Sequence, residues 1–322
     1  MFNVGIIGLG HVASHQISAI KRSREFHLIA GCDLDRSRFS LLDHSVDKYT
    51  DSEEMLQRSD LDVVVVASPN RLHVPHGLQV MAAGKWLFME KPLAETQEEF
   101  DLFARKRQEY AGHCTLALHA AFGLDVEWFC CEQNYPRADA GDLNSLVAEF
   151  DDPYFDDGQL QQHATSLGGA WIDSGINALS VICRLISPDD LVIRDSRMTR
   201  IEASGCLEVE GIVDLEWSRS RNRGTGRIKT SWTTGRNKKI TTLVFNGGTK
   251  RIILDHSMQQ VLLREQEQDQ TLFSYDGELP RLTNHYLGAF GDLASQMKAG
   301  IDNFSYCQKL HRLLYQAENW AN

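Results

Sequence analysis

Over roughly the first 120 residues, short apolar runs alternate with stretches whose apolar residues fall at helical spacing, and this rhythm constrains the chain more than any other feature. Val4–Ile7, Leu28–Cys32, Val63–Ala67, Trp86–Met89 and Thr115–Leu118 read as buried strands. Val12–Ile20, Ser52–Gln57 and Val74–Ala83 read as helices between them, Ser52 through Glu54 giving the second a cap and an acidic first turn. Strands joined through helices lie parallel, because a helical crossover returns the chain to the same end of the sheet. The spacing therefore predicts an α/β fold with a doubly wound parallel sheet. Right-handed crossovers would gather the strand C-termini on one edge, where ligands bind.

From about Phe122 the pattern changes to a helix with Val126 and Phe129, a strand near Leu143–Phe150, and a helix running from Asp173 toward Leu185. Leu207–Trp217, Gly226–Thr233, Ile240–Phe245 and Arg251–Asp255 follow as strands joined by turns such as Asn246-Gly247-Gly248. This predicts two domains: residues 1–120, and an α+β domain over 121–322 with an open, mainly antiparallel sheet, the C-terminal helix packing back on the first domain. Asp151–Ser166, acidic and glutamine-rich, reads as a loop near the cleft. A chain of 322 residues with 42% hydrophobic content can fill two cores.

The net charge of −11 gives no general attraction for nucleic acid or an anionic membrane surface, which leaves a small molecule as the natural partner. The basic stretch from Arg219 to Lys239, with Arg221, Arg223, Arg227, Lys229, Arg236 and Lys238, reads as the solvated face or guarded edge of a sheet. Seven scattered cysteines without metal-ligand spacing predict reduced thiols, no metal site and a cytoplasmic setting. No leader or membrane-spanning run is expected.

Gly8-Leu9-Gly10-His11-Val12-Ala13 follows an apolar strand and opens a helix, the context in which a G-x-G-x-x-[GA] pattern binds a dinucleotide. Gly8 permits the tight turn, Gly10 lets the backbone approach a pyrophosphate, and Ala13 lets the helix pack closely on the strand; the helix N-terminus then faces the negative charge. Asp33 ends the second strand, where an acid accepts hydrogen bonds from the adenosine ribose. An acid there repels a 2′-phosphate, so NAD is favoured over NADP, although Arg36 and Arg38 offer an alternative phosphate contact. The plainer reading is a glycine turn with a capping aspartate.

Lys91, in Met89-Glu90-Lys91-Pro92, lies at the same sheet edge and can hydrogen-bond a substrate hydroxyl while assisting proton removal. A lone lysine is more often an exposed partner of Glu90. Gly168-Gly169-Ala170-Trp171-Ile172-Asp173-Ser174-Gly175-Ile176-Asn177 sets a carboxylate and an amide four residues apart, on one face of any helix, and the two groups read with Lys91 as an active site shared by the two domains. Their plain alternatives are a helix cap and a buried structural amide. His119 at a strand end faces the cleft or is a structural ring. Trp171 and His163 line a pocket or serve as packing.

With Ser68-Pro69-Asn70-Arg71-Leu72-His73 and Ala83-Gly84-Lys85 added in order, these motifs make nearly the whole chain resemble the Gfo/Idh/MocA family of nicotinamide-dependent sugar and cyclitol oxidoreductases. The resemblance implies a Rossmann domain binding NAD or NADP through Gly8, Gly10, His11, Val12, Ala13, Asp33, Ser68, Asn70, His73 and Glu90. It also implies a site of Lys91, His119, Asp173 and Asn177. The family usually carries histidine four residues after the aspartate; here Asn177 stands there, and an amide cannot relay a proton.

Asp173-Ser174-Gly175-Ile176-Asn177-Ala178-Leu179-Ser180 resembles the L-arabinose and D-galactose 1-dehydrogenase branch, with Ser174 where proline is common. That likeness implies oxidation of an anomeric hydroxyl to an aldonolactone, with Asp173 taking the proton, Lys91 orienting, Asn177 bonding the sugar, and homo-oligomers formed through the C-terminal sheet. Another sugar, a cyclitol or a carbonyl compound is an alternative substrate. A dinucleotide-binding sensor without turnover, as in the fungal galactose-pathway corepressor, is an alternative of another class.

Overall fold

The structure is a computed structural model, and it describes the chain except residues 132–133, 135–140, 203–206, 220–221, 267 and 321–322. The chain divides into two compact units, Met1–His119 with Leu282–Gln308, and Ala120–Arg281 with Lys309–Asn322.

The first unit holds a six-stranded sheet in the order β3-β2-β1-β4-β5-β6, every neighbour parallel. Its strands are β1 (Phe2–Ile7), β2 (Phe26–Cys32), β3 (Asp47–Tyr49), β4 (Val63–Val66), β5 (Trp86–Glu90) and β6 (Cys114–Ala117). Val63 through Val66 are fully buried, as a strand covered by helices on both faces must be. The helices are α1 (His11–Arg22), α2 (Ser52–Leu56), α3 (His73–Ala82) and α4 (Gln97–Tyr110). Two details differ from expectation. The cap of α2 is Asp51, whose carboxylate accepts from Glu53 N at 2.8 Å, one residue before Ser52. The edge strand β3 escapes prediction because three residues, two of them charged, carry no apolar period. The chain reverses direction across the sheet between β1 and β4, and crevices at such switch points bind ligands.

The second unit contains α5 (Leu124–Cys130), β7 (Leu143–Asp151), a small hairpin of β8 (Phe155–Asp156) and β9 (Gln159–Leu160), a π-helical turn (Trp171–Gly175) and α6 (Ile176–Leu185). Then come β10 (Leu191–Arg200), β11 (Glu208–Arg219), β12 (Asn222–Ser231), β13 (Lys238–Phe245), β14 (Lys250–Asp255), β15 (Gln260–Glu265) and β16 (Gln268–Ser274). Two further helices, α7 (Arg281–Ala299) and α8 (Phe304–Trp320), complete the chain and are each divided between the units.

The large sheet runs β10-β11-β12-β7-β13-β14-β15-β16, antiparallel except that β7 enters the middle parallel to β12. It is therefore a mixed sheet and not the simple meander the local turns imply, since a strand inserted from far away in sequence leaves no turn signal. Its inner face buries Leu146, Phe150, Ile228, Leu215, Leu243 and Leu254. Its outer face carries ion pairs, Arg227 to Asp214 at 2.6 Å and Lys238 to Glu149 at 2.8 Å, so these bases of the basic stretch lie on a solvated face. Arg221 lies outside the described residues. None of the six described cysteines is joined in a disulfide. Among the described residues no helix is long and apolar enough to cross a membrane, and no cluster has the makings of a metal site.

Candidate functional site

In the first unit, Gly8, Asp33, Ser68, Lys91 and His119 each lie within two residues of the C-terminal end of a parallel strand, which brings them to one sheet edge. Gly8 has φ +92°, and a Cβ there would lie 2.6 Å from the Ala67–Ser68 backbone, so only glycine lets the two loops cross. Gly10 is different. Its φ of −74° suits any residue, and a Cβ would meet nothing within 4 Å. Nothing in the protein asks for glycine at this position, whereas a ligand pressed against the backbone would.

Gly10 also stands at the N-cap of α1 without a side chain to cap it, and no acidic residue occupies the first turn. His11, Val12 and Ala13 thus begin a 12-residue helix whose leading N–H groups and positive dipole end suit a pyrophosphate. The residues present fit a dinucleotide. Asp33 completes the cradle: Oδ2 accepts from Leu9 N at 2.7 Å and Oδ1 from Asp35 N at 2.8 Å, so two backbone donors fix the carboxylate beside the glycine loop. Arg38 is drawn toward Asp35 at 3.6 Å.

Three residues assigned to the cofactor lie deeper than sequence alone implies. His73 is 1% exposed, and its ring nitrogens lie 2.6 Å from Pro92 O and 2.9 Å from Ser68 O, so it ties the Ser68 loop to the Lys91 loop. Burial pushes it down to about 4. Ser68, itself buried, receives His76 at its hydroxyl, 3.0 Å away. Glu90 is buried: Gln16 Nε2 and Tyr286 Oη both donate to Oε1 at 2.6 Å, and Lys91 N donates to Oε2 at 3.2 Å. Burial raises this carboxyl above the usual range, against the pull of the Tyr286 hydroxyl and the Lys91 charge. Glu90 is thus a bracket that joins α1, α7 and the backbone under Lys91, where sequence reasoning saw only a motif. Asn70 hydrogen-bonds Glu95 on the loop before α4, and His119 stacks on His285 with centroids 5.6 Å apart and lies tilted against Tyr286 at 5.3 Å.

In the second unit, Asp173 and Ser174 lie on the π-helical turn and Asn177 in the first turn of α6, all buried. Asn177 Nδ2 donates to the backbone carbonyl of Asp173 at 3.2 Å, so the amide and the aspartate are neighbours across the turn, as their spacing requires. Ser174 Oγ donates to Asp152 Oδ2 at 2.9 Å; Asp152 Oδ1 accepts from Lys239 Nζ at 2.6 Å. Lys239 is only 6% exposed, and burial pulls its ammonium down while Asp152 opposes the shift. Sequence reasoning missed this buried pair, although Lys238-Lys239 at a strand start was a usable sign: in a period-2 strand one of two adjacent lysines must point inward and needs an acid. Trp171 is fully buried, its indole N–H donating to Leu314 O at 2.9 Å, and so is core packing; His163 is exposed beside the Tyr154 ring.

Comparison with known proteins finds similar chains. Residues 2–114 match the family model described as Gfo/Idh/MocA, oxidoreductase family, NAD-binding Rossmann fold. The chain is 33% identical over 131 residues to D-glucoside 3-dehydrogenase of Escherichia coli K12, and 26% identical over 177 residues to the rhizopine catabolism protein MocA of Rhizobium meliloti. The matches cover 38% and 55% of this chain, and 36% and 54% of those relatives, so this chain spans about half of their length or less. An Agrobacterium radiobacter oxidoreductase solved with NAD+, L-tartaric acid and magnesium shares the fold at a TM-score of 0.80 and 16% identity, with 99% of this chain and 96% of that one covered. Glycine loop, open helix start, terminal acid and family match converge on one statement: residues 2–114 form an NAD-binding Rossmann domain similar to that of the Gfo/Idh/MocA oxidoreductases.

Proposed function

We propose that the chain is an NAD-preferring dehydrogenase that oxidises the anomeric C1 hydroxyl of an aldose of the D-galactose or L-arabinose type to the aldonolactone. The observation that carries this reading is the buried Asp173–Asn177 turn, in which the amide is clipped to the aspartate's own carbonyl at 3.2 Å. Of the two side chains only the carboxylate can take a proton, so Asp173 is the base. Bound nicotinamide supplies the acceptor for the hydride that leaves C1. Asp173 removes the hydroxyl proton as the C1 carbonyl forms, and the Lys91 ammonium, on the backbone held by Glu90, stabilises the developing negative oxygen. Asn177 has a second amide hydrogen and its oxygen with which to orient the sugar.

A second reading keeps the chemistry but moves it to another ring carbon, which the name of the Escherichia coli relative, a D-glucoside 3-dehydrogenase, favours. The test is reduction of NAD or NADP by purified protein with D-galactose, L-arabinose, D-xylose and D-glucose, each as free sugar and as methyl glycoside. Reduction by free sugars alone supports C1 oxidation. Reduction by glycosides, whose C1 hydroxyl is blocked, transfers the reading to another carbon, and silence throughout sinks both.

We also propose pairing of two copies through the outer face of the large sheet, where Val147, Ile240, Val244, Ile253 and Leu262 are partly exposed next to the charged half. Sedimentation that finds only monomer removes this idea.

A further inference from the structure

The turn that carries Asp173 begins without a local cap. Leu167-Gly168-Gly169-Ala170 supplies no serine, threonine, aspartate or asparagine at the helix start. Gly168 and Gly169 both have positive φ, +83° and +111°, so the chain enters the helix through two left-handed residues. The missing cap comes from the sheet. Glu208, which opens β11 and follows Trp171 by 37 positions, is buried, and its Oε1 accepts from Trp171 N at 3.2 Å, with Ile172 N a second backbone donor to the carboxylate. The carboxylate lies over the Cα of Gly169, where a Cβ would sit 2.2 Å from its carbon and oxygen. Asp173 N in turn donates to Gly169 O at 2.9 Å. Gly169, the two leading N–H groups and Asp173 are therefore one hydrogen-bonded unit gripped by a single side chain.

We propose that Glu208 is a positioning residue for Asp173: its carboxylate holds the double-glycine entry and the first helical turn, so that the aspartate stays aimed for proton removal. This rests on the reading of Asp173 as the base. This buried site holds the neutral carboxyl better than the ionised one, because burial and the neighbouring Glu318 penalise the charge by more than the two N–H donors return. The charged group that acts on the carboxylate is Glu318 on α8, and Arg200, an exposed residue, lies opposite Glu208 on β10. Burial and Glu318 push the carboxyl up to about 7, so the strength of the cap changes within the range in which the enzyme is assayed.

The test compares Glu208→Gln with the wild type in NAD reduction by D-galactose and L-arabinose from pH 6 to pH 8. Wild-type kcat should fall several-fold through pH 7 as the carboxyl ionises and its grip on the turn loosens. Glu208→Gln, which keeps a neutral acceptor, should match wild type at pH 6 and be several-fold faster at pH 8, with KM for sugar and Kd for NAD unchanged. Parallel pH profiles overturn the proposal, because a merely structural glutamate would scale the rate equally at every pH. Asp173→Asn separates the two claims: if it keeps turnover, the base is misassigned, whereas if it is dead while Glu208→Gln keeps the wild-type profile, only the positioning role falls. A measurement on the wild type alone guards against a variant that fails to fold or sugars that are not turned over. Amide exchange at Trp171 and Ile172, corrected for the intrinsic pH dependence, should show several-fold weaker protection at pH 8 than at pH 6, and equal protection overturns the cap.

Discussion

The glycine loop of the first unit and the double-glycine turn of the second both start a helix after residues with positive φ, yet they treat the exposed N–H groups in opposite ways. At α1 the cap position is Gly10, and among the described residues no side chain caps it. At the Asp173 turn a glutamate from a distant strand fills that place. An open helix start is an anion site held in reserve, because its donors have no competing acceptor. A capped start cannot bind a second anion, but it gives a rigid base from which a side chain can be aimed. On the proposed reading, the first turn serves the ligand's phosphates and the second the chemistry.

The sharpest way to break this assignment is to remove the chemical group and leave the scaffold. Asp173→Asn should lower sugar-dependent NAD reduction by about 10²–10⁴-fold, the usual worth of a positioned base. Binding of NAD, measured by fluorescence titration, should be unchanged. Equal loss of both would mean that the turn serves the cofactor and that the contrast between the two helix starts is wrong.

The two glycines of the nucleotide loop test the other side. Gly8→Ala meets the Ala67–Ser68 backbone at 2.6 Å from a left-handed position, so it should destabilise the fold by at least about 3 kcal/mol in urea unfolding. Gly10→Ala meets open space. It should cost less than about 1 kcal/mol in stability while weakening NAD binding tenfold or more. If Gly10→Ala binds NAD normally, the open helix start is not the phosphate site.

The units should also differ in how pH affects their stability. His73 is pushed down to about 4 in the folded first unit, below its ordinary 6.5. Between those values the unfolded chain takes a proton that the folded form refuses, so this contribution is complete above pH 6.5 and is lost as pH falls toward 4. Glu208 runs the other way. Its folded value of about 7 exceeds the ordinary 4.5, so the folded second unit retains a proton in that interval and loses stability as pH rises from 4.5 to 7. Glu208→Gln should therefore match wild type at pH 4 and be more stable by about 2 kcal/mol at pH 8, where the wild type carries a buried charge. Thermal unfolding across pH decides this, and a constant difference between the two proteins would show that Glu208 does not titrate there.

Much of the first unit could be read from its sequence, because strand, tight turn and helix signals all lie within a few residues of each other. Gly8, Gly10, Ala13 and Asp33 form a local grammar, and their structure follows it. The second unit is less legible, since its decisive contacts join residues far apart. Nothing near Trp171 points to Glu208, and nothing near Glu90 points to Gln16 or Tyr286. The same holds for β7, which sits between β12 and β13 in the sheet. What could be read was the need: a helix start without a cap, an inward lysine without an acid and a buried glutamate without a donor each announce a partner without naming it.

The smallest effect concerns which dinucleotide enters, and it tests how far the open helix start serves as a general anion site. Asp33 presents two oxygens already engaged by Leu9 N and Asp35 N, so the carboxylate cannot swing away from an incoming 2′-phosphate. Arg38 lies toward Asp35, where its charge is partly offset, and Arg36 is exposed. Asp33→Asn keeps an acceptor for one of the two N–H groups and removes the charge. The ratio of NADP to NAD affinity should then rise about tenfold, mostly through tighter NADP, since one repulsion at the rim of a solvated site is worth about 1 kcal/mol. If NAD binding collapses instead, Asp33 acts chiefly by holding Leu9 and the glycine loop in place, and the preference between cofactors has to come from Arg36 and Arg38.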